Sequence, residues 1–298
     1  MKANLFFLIT TVLWGLNYHF TKFLVAETSP FEAALWRYGL ASLTMFIFTF
    51  NHLPKWKDIK TNFTGLFLVG FVGLFVFNYL FFLGMVETSP INALLIIGLN
   101  PAFTLLLSAL ILKTEINLRQ VVGILIALVG ILYLLFKGDV TAILYLHFSH
   151  GDALIIAACI FFALHHVFVK KYSANMDSTN FSFLCAVVCF IPLLFINITA
   201  NDYGNLSEYT SRFWLSAIGI GCFGTGISYY LWYKGIEMTS APKAAIFMNV
   251  VPLSGAIFSW ALGDPMYIYH AISAFLVVFG IMVMQLKMPA RFTARKSV

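Results

Sequence analysis

Apolar runs of about 20 residues alternate with short polar breaks along this chain. A helix needs about 20 apolar residues to cross the hydrocarbon core of a bilayer, so each run is long enough to span a membrane. The runs are too long for barrel strands and do not alternate apolar with polar positions. The pattern predicts an all-α integral membrane protein with ten transmembrane helices, at residues 4–23, 31–50, 64–85, 91–112, 119–136, 152–171, 179–198, 212–235, 241–262 and 267–287.

The composition indicates the environment of the chain, and the distribution of basic residues indicates its orientation in the membrane. With 61% hydrophobic and 10% charged residues, the chain is not an ordinary water-soluble domain. Lys and Arg collect in cytoplasmic loops, and with the N-terminus inside, 14 of the 18 basic residues lie on the cytoplasmic side, three lie outside and Arg37 lies within the second span. We expect a multi-pass protein of the bacterial inner membrane with both termini cytoplasmic. The net charge of +6 then reflects topology, and no nucleic-acid partner is expected.

The two halves of the chain are similar to each other. The segment NYLFFLGMVETSPINAL from Asn78 aligns with YYLWYKGIEMTSAPKAA from Tyr229, and WGLNYHFTK from Trp14 aligns with FALHHVFVK from Phe162. Because each repeat holds five helices, an odd number, the second repeat must enter the bilayer in the opposite orientation. Inverted repeats are common in secondary transporters, with the substrate site near the midplane between them. We expect a first five-helix repeat at 1–137, an external linker at 138–150, a second repeat at 151–288 and a basic cytoplasmic tail at 289–298.

Both halves resemble the EamA-type domain of the drug/metabolite transporter superfamily, over nearly the whole chain. The resemblance rests on WGLNYHFTKF, ALWRYGLASL and TSPINALLIIGLNPAFTLLLSALILKTEINLRQVVGILIALVGILYL. The second repeat departs from the pattern at Asp264 and Pro265, where the family usually has a Glu. The resemblance implies export or exchange of amino acids, drugs or similar small organic solutes by alternating access, without a nucleotide-driven motor.

Polar side chains within the spans are the candidates for a substrate site, because a polar group in a membrane helix is costly and usually faces a cavity or a partner helix. Amides offer donors and acceptors that suit a neutral or zwitterionic solute. The alternative for each residue is a hydrogen bond between neighbouring helices, worth on the order of 1 kcal/mol. The predicted substrate-binding residues are Trp14, Asn17, Tyr18, Trp36, Arg37, Asn78, Tyr79, Asn92, Asn100, His165, His166, Tyr229, Trp232, Tyr233 and Asn249.

Two prolines, Pro101 and Pro252, occupy equivalent positions in the fourth and ninth spans. Inside a helix, Pro removes a backbone donor and clashes with the preceding turn. We therefore expect both helices to kink there, with the carbonyls of Ile97 and Met248 left without helical partners and turned to the transport pathway. A packing kink without a ligand is the alternative.

Each of the ionisable groups within the spans has two alternative roles. Arg37 either binds an anionic group of the solute or extends outward and anchors its helix. His165 and His166 either titrate near neutral pH, which would couple transport to a proton, or form a hydrogen-bonded core pair.

Other classes of function have less support in the residues. An intramembrane enzyme would need a catalytic constellation, and the chain has no H-E-x-x-H, no G-x-S-x-G and no P-loop. We expect no enzyme activity, no cofactor and no metal; a receptor-like or structural membrane protein, or an enzyme without a recognisable motif, is the alternative function. The expected partners are a small-molecule substrate and the lipid bilayer. The protein is expected to be a monomer or a homodimer, and Gly123, Ala127 and Gly130 give the fifth helix a small-residue face suited to packing another helix.

Overall fold

A computed structural model describes residues 2–88, 96–139, 141, 149–200, 204, 206–261 and 267–285, and the regular secondary structure in these residues is helical. The first half contains α1 (Lys2–Leu24), α2 (Pro30–Thr49), α3 (Trp56–Leu66), a π-helix, π1 (Phe67–Phe75), α4 (Val76–Glu87), α5 (Asn100–Leu112) and α6 (Leu118–Leu135). The second half contains α7 (His150–Tyr172), α8 (Ser178–Ala200), α9 (Ser211–Ile218), a π-helix, π2 (Gly219–Ile227), α10 (Ser228–Glu237), α11 (Ala241–Phe247), α12 (Val250–Ala261) and α13 (Ile268–Gln285).

Several of these helices have the length and apolarity needed to cross a membrane. In the described part of the chain, four stretches meet both conditions: Pro30–His52, Trp56–Gly84, His150–Asn175 and Ser178–Ala200. Shorter apolar helices occupy Asn100–Leu112, Leu118–Leu134 and Ile268–Met284. Large apolar side chains such as Leu110, Leu215 and Phe275 are exposed on the outside, as expected for a surface that faces lipid. The prediction of an all-helical, multi-pass membrane protein is confirmed, and its count of ten crossing helices stays a prediction.

Polar residues in the breaks between the apolar runs determine where helices begin. The Ser29 hydroxyl accepts a hydrogen bond from the backbone N–H of Glu32 at the start of α2. At the start of α7, Ser149 accepts from the N–H of Asp152, whose carboxylate accepts from the N–H of Ser149 at 2.6 Å. Such caps satisfy N–H groups that have no partner inside the helix.

The two π-helices occupy corresponding places in the two halves. Where an i→i+5 ladder returns to i→i+4, one carbonyl is left without a backbone donor. In π2 the N–H of Ser228 bonds the Phe223 carbonyl, and the next carbonyl, that of Gly224, accepts from the side-chain amide of Asn17 at 3.0 Å. Long π-helical turns are rare and are often found at functional sites. The amide of Asn17 thus ties α1 to the wide turns of the other half.

The helices of one half pack mainly against those of the other. Helix α1 packs against π2, α10 and α12, while α7 packs against π1, α4 and α5. Helix α2 packs against α8, and α6 packs against α13. Each of these contacts has its counterpart when the two halves are exchanged. The core therefore lies between the halves, with α1 and α7 at its centre.

The small-residue face of α6 is occupied within the chain. A Cβ atom added to Gly123 would lie 2.6 Å from the carbonyl oxygen of Gly280, and one added to Gly280 would lie 2.6 Å from that of Gly123. Ala127 is fully buried in the same contact, and so is Ser273 of α13. Because the face packs against α13, it is not available to pack a second copy of the chain.

Candidate functional site

Aromatic and imidazole rings fill the centre of the molecule between α1, α7 and α10. The ring centroid of Trp14 lies 4.8 Å from that of Trp232 and 5.4 Å from that of Tyr229. The imidazole of His166 lies 5.2 Å from Trp232. The structure thus brings together six of the predicted site residues, each at most 6% exposed: Trp14, His165, His166, Tyr229, Trp232 and Tyr233.

The histidine pair belongs to a hydrogen-bond network within this ring cluster. The hydroxyl of Tyr233 lies 3.0 Å from Nε2 of His165, and Nδ1 of His165 lies 3.3 Å from Nδ1 of His166. The indole N–H of Trp232 donates to the same Nδ1 of His166 at 3.1 Å. This hydrogen-bond network connects α7 to α10 through buried polar atoms.

Five buried polar atoms of the predicted site residues have no hydrogen-bond partner among the described residues. They are Nε1 of Trp14, Oδ1 of Asn17, Nε2 of His166 and both amide atoms of Asn249. Buried polar groups in native proteins are nearly always paired, so atoms like these indicate a place where water or a ligand binds. The residues come from α1, α7 and the junction of α11 with α12, which means that both halves of the chain contribute.

In each helix that carries one of the two prolines, the regular hydrogen bonding is broken just before the proline, while Leu99 and Met248 keep right-handed helical backbone angles. Helix α5 begins at Asn100, with Pro101 in its first turn. In the second half, a turn at Met248 and Asn249 separates α11 from α12, and Pro252 lies in the first turn of α12. Pro is tolerated in a first turn because its missing N–H would have no partner there. Each proline therefore follows a local break in its helix, and its part in a transport pathway stays a prediction.

Of the two carbonyls expected to lose their helical partners, that of Met248 keeps a backbone donor, whereas that of Ile97 has no donor four residues on because residue 101 is Pro. The carbonyl of Met248 accepts from the N–H of Val251 at 3.0 Å. The carbonyl of Ile97 has the thiol of Cys159 at 4.0 Å, and that of Ile96 has the same thiol at 3.4 Å. At the second break, the polar atoms left without partners belong to a side chain, the amide of Asn249.

A second polar group surrounds Arg37. Its Nε donates to the Thr225 hydroxyl in π2 at 2.8 Å, and its guanidinium lies 5.5 Å from the ring centroid of Tyr38. Asn78 donates to the Tyr38 hydroxyl at 2.9 Å. No carboxylate of the described residues lies within 4.0 Å of the guanidinium. Arg37 therefore points into the protein, where the part of the chain that the structure describes gives it no anionic partner.

A small cavity lies beside this group. It is lined by Tyr38, Thr225, Tyr229 and Tyr233 among others, and its volume is about 10 Å³. That is about the room needed for one water molecule, whereas pockets for drug-sized ligands measure roughly 300–1,000 Å³. A solute of that size therefore cannot enter this cavity unless the helices around it move.

Three other predicted residues lie away from the ring cluster. Asn100 faces α7, where its amide donates to the Cys159 carbonyl at 3.3 Å. The indole N–H of Trp36 donates to Glu32 at 3.2 Å, and its ring packs against Trp214 near the start of α2. Tyr79 stacks on Phe31, with 5.7 Å between ring centroids. Asn92 and the side chain of Tyr18 lie outside the described residues.

Sequence reasoning missed Tyr38, which lies between Arg37 and Asn78 and is fully buried. The signal for it was present in α2. Ala34, Tyr38, Ala41 and Met45 recur at helical spacing and form the buried face of the helix. Trp36 lies on another face of the same helix, which explains its absence from the site.

A hydrogen-bonded cluster joins the start of α2 to the segment before α9. The Glu32 carboxylate accepts from the Tyr209 hydroxyl at 2.6 Å and from the N–H of Gly204 at 3.1 Å. Partial burial and the neighbouring Glu32 carboxylate raise the pKa of Tyr209. The short bond between Thr28 and Glu32 belongs to the same cluster.

Among the described residues, no group of three or more His, Cys, Asp or Glu side chains is arranged to hold a metal ion. Cys159, Cys185, Cys189 and Cys222 are free thiols.

Comparison with known proteins gives a consistent result. The EamA-like transporter family matches residues 1–136 and 149–286. The "Uncharacterized transporter YyaM" of Bacillus subtilis (strain 168) is 32% identical over 274 residues, covering 91% of this chain and 90% of that protein. An "Uncharacterized transporter" of Archaeoglobus fulgidus is 28% identical over 290 residues, covering 95% and 98%. A crystal structure with 17% sequence identity superposes with a TM-score of 0.79 and covers 95% of this chain and 96% of the other, which shows a shared fold.

Proposed function

The chain belongs to the EamA-like transporter family, and from that premise we propose that it moves small organic metabolites across the bacterial inner membrane by alternating access, in export or exchange. It is a multi-pass membrane transporter of the drug/metabolite type. The proposed substrates are amino acids or similar amphipathic solutes, drugs included.

The observation that carries the proposed site is the set of unpartnered buried atoms on Trp14, Asn17, His166 and Asn249. Leaving a buried donor or acceptor without a partner costs roughly 1–3 kcal/mol for each group. A solute with its own donors and acceptors would recover this free energy on binding. The proposed site therefore lies between the halves, beside the ring cluster.

Packing supports the proposed arrangement of two inverted five-helix repeats. The contacts of α1 with π2, α10 and α12 are repeated by α7 with π1, α4 and α5. A site between two such halves can open to either side when one half tilts relative to the other. The closed cluster of rings is consistent with a state in which neither side is open.

The substrate class follows from the donors and acceptors around the site. Amide groups and rings suit an amphipathic solute, and the guanidinium of Arg37, without a carboxylate partner among the described residues, suits a solute that carries an acid. An amino acid meets both conditions.

Asn249→Leu tests the proposed site. Because neither amide atom has a partner among the described residues, the apolar replacement should leave the free energy of unfolding unchanged or raise it by roughly 1–3 kcal/mol. Transport should fall, because the solute loses a donor and an acceptor. The measurements are uptake of labelled amino acids into proteoliposomes and unfolding of the purified protein.

Thr199→Leu is the matched control, since Thr199 is exposed near the end of α8 and its hydroxyl bonds only backbone carbonyls of its own helix. We expect this variant to transport normally. Normal transport by Asn249→Leu would remove Asn249 from the site. Absence of saturable transport or counterflow by the wild-type protein with every solute tested would count against the proposed function itself.

The proposed orientation, with both termini cytoplasmic, has its own test. In a background without native cysteines, single cysteines at Ser207 and Ser297 are treated with a membrane-impermeant thiol reagent in intact cells. Ser207 should be labelled and Ser297 should not, because the basic residues that precede Ser297 resist translocation. Labelling at Ser297 would show that the orientation is reversed.

A further inference from the structure

The indole N–H of Trp232 determines which nitrogen of His166 carries a proton. An indole nitrogen can only donate a hydrogen bond. It lies 3.1 Å from Nδ1 of His166, so this nitrogen must present a lone pair. A neutral imidazole carries its one proton on the other nitrogen. The proton of His166 is therefore on Nε2.

The contact between the two histidines agrees with this tautomer. Nδ1 of His166 has one lone pair, which accepts mainly from the Trp232 N–H at 3.1 Å. Nδ1 of His165, 3.3 Å away, can share that lone pair only as a second and weaker donor. Nε2 of a neutral His165 then accepts from the hydroxyl of Tyr233, 3.0 Å away. The hydroxyl of Tyr233 thus donates to His165, and His165 donates to His166. The Nε2–H of His166, the last group of this hydrogen-bond network, has no acceptor among the described residues.

A second N–H donor of the same kind lies in the same ring cluster. Nε2 of His166 and Nε1 of Trp14 are both buried and have no partner among the described residues. The rings that carry them both pack against Trp232, at 5.2 and 4.8 Å, and against Phe162, at 4.6 and 6.1 Å between centroids. Two N–H donors from opposite halves of the chain thus lie in one apolar ring cluster.

We infer that Trp232 holds His166 as its Nε2-protonated tautomer, and that this N–H, together with the indole N–H of Trp14, binds a carboxylate of the transported solute. The inference rests on the proposed function, which places the solute between these helices. Two N–H donors match the two oxygens of a carboxylate, and a charged acceptor gives the stronger hydrogen bonds. A simple amine is protonated at neutral pH, and its ammonium group offers no acceptor to either donor.

The same geometry makes His166 a fixed donor rather than a proton carrier. A second proton on His166 would sit on Nδ1 and point at the N–H groups of Trp232 and His165. Among the described residues, the other titratable side chains in contact with this pair are Tyr229 and Tyr233 of α10, and neither supplies a carboxylate that would stabilise a charged imidazole.

The tautomer can be tested without a substrate, by ¹⁵N NMR of the full-length protein in nanodiscs with labelled histidine. The His166 signals are identified by their loss in His166→Gln. We expect Nε2 to be protonated and Nδ1 to be bare at neutral pH. In Trp232→Phe only the longer contact with His165 remains, and a mixture of tautomers should appear. A wild-type His166 that is protonated on Nδ1, alone or in addition to Nε2, would overturn the inference.

Binding of the solute is tested with amino acids and with the amines that lack their carboxylates, by thermal shift on the same protein. Amino acids should stabilise the wild-type protein and the matching amines should not. The variant His166→Leu should bind the stabilising acids about ten-fold more weakly, since it loses one charge-assisted hydrogen bond. His166→Gln, which retains an N–H, should recover part of the affinity.

The outcomes separate this inference from the proposed function. An acid that binds His166→Leu as tightly as wild type would overturn the donor role, provided that the variant unfolds at the wild-type temperature without ligand. Stabilisation by amines and not by acids would overturn the inference that the bound group is a carboxylate. A protein with the expected tautomer that transports no solute would count against the proposed function alone.

Discussion

The contact between α6 and α13 allows a quantitative prediction for Gly280→Ala. The added Cβ would lie 2.6 Å from the Gly123 carbonyl oxygen and 2.8 Å from the backbone nitrogen of Ala127. Carbon and carbonyl oxygen normally approach to about 3.3 Å, so the two helices would have to separate by about 0.7 Å. The obstacle is backbone, and no rotation of a side chain can relieve it.

Such a separation weakens the packing along the whole contact. A gap of about 0.5–1 Å forfeits a quarter to a half of the attraction between the atoms concerned, and overpacking of a filled core costs roughly 1–3 kcal/mol. The alanine also favours the helix, by up to about 1 kcal/mol relative to glycine. A matched Gly→Ala control in another helix removes this second contribution from the comparison.

Gly255→Ala provides that control. A Cβ on Gly255 would have its nearest neighbour, the Gly15 carbonyl oxygen, at 3.6 Å, which is an ordinary contact. We expect Gly280→Ala to be about 1–3 kcal/mol less stable than Gly255→Ala when the purified proteins are unfolded in mixed micelles and followed by tryptophan fluorescence. Equal stability of the two variants would refute the close approach of α6 and α13.

Three further changes probe the polar groups. Arg37→Lys keeps the charge but loses the planar fork, so binding of acidic solutes should weaken about ten-fold in thermal-shift titrations; unchanged affinity would make Arg37 a helix anchor. Asn17→Ala leaves the Gly224 carbonyl without its donor and should lower the free energy of unfolding by about 0.6–1.7 kcal/mol, and no loss would mean that the bond is not formed. The raised pKa of Tyr209 means that its neutral hydroxyl stabilises the folded state below about pH 10, the ordinary tyrosine value, and that this stabilisation is lost as the pH rises through the raised value. Tyr209→Phe should therefore be less stable than wild type at pH 8, with the difference shrinking in alkali; a difference independent of pH would exclude the bond to Glu32 as its cause.

The sequence alone was sufficient to predict the class of fold and the family. Transfer of a segment into lipid depends on its own side chains, so hydropathy identifies helices without knowledge of their neighbours. The capping residues Ser29 and Ser149 are equally local, because a cap bonds the first turn of the helix that follows it. The same holds for the repeat, which aligns Asn78 with Tyr229 from the letters of the chain alone.

Only the tertiary structure decided which face of each helix meets which partner. In α2 the sequence favoured Trp36 and Arg37, whereas the buried face passes through Tyr38. The small residues of α6 allow close packing against any helix, and in the structure they pack against α13 of the same chain. The bond from Asn17 to π2 also depends on a neighbouring helix. Lipid is as apolar as the helix surface, so hydropathy does not specify how a helix is rotated; close packing and hydrogen bonds between helices determine that rotation.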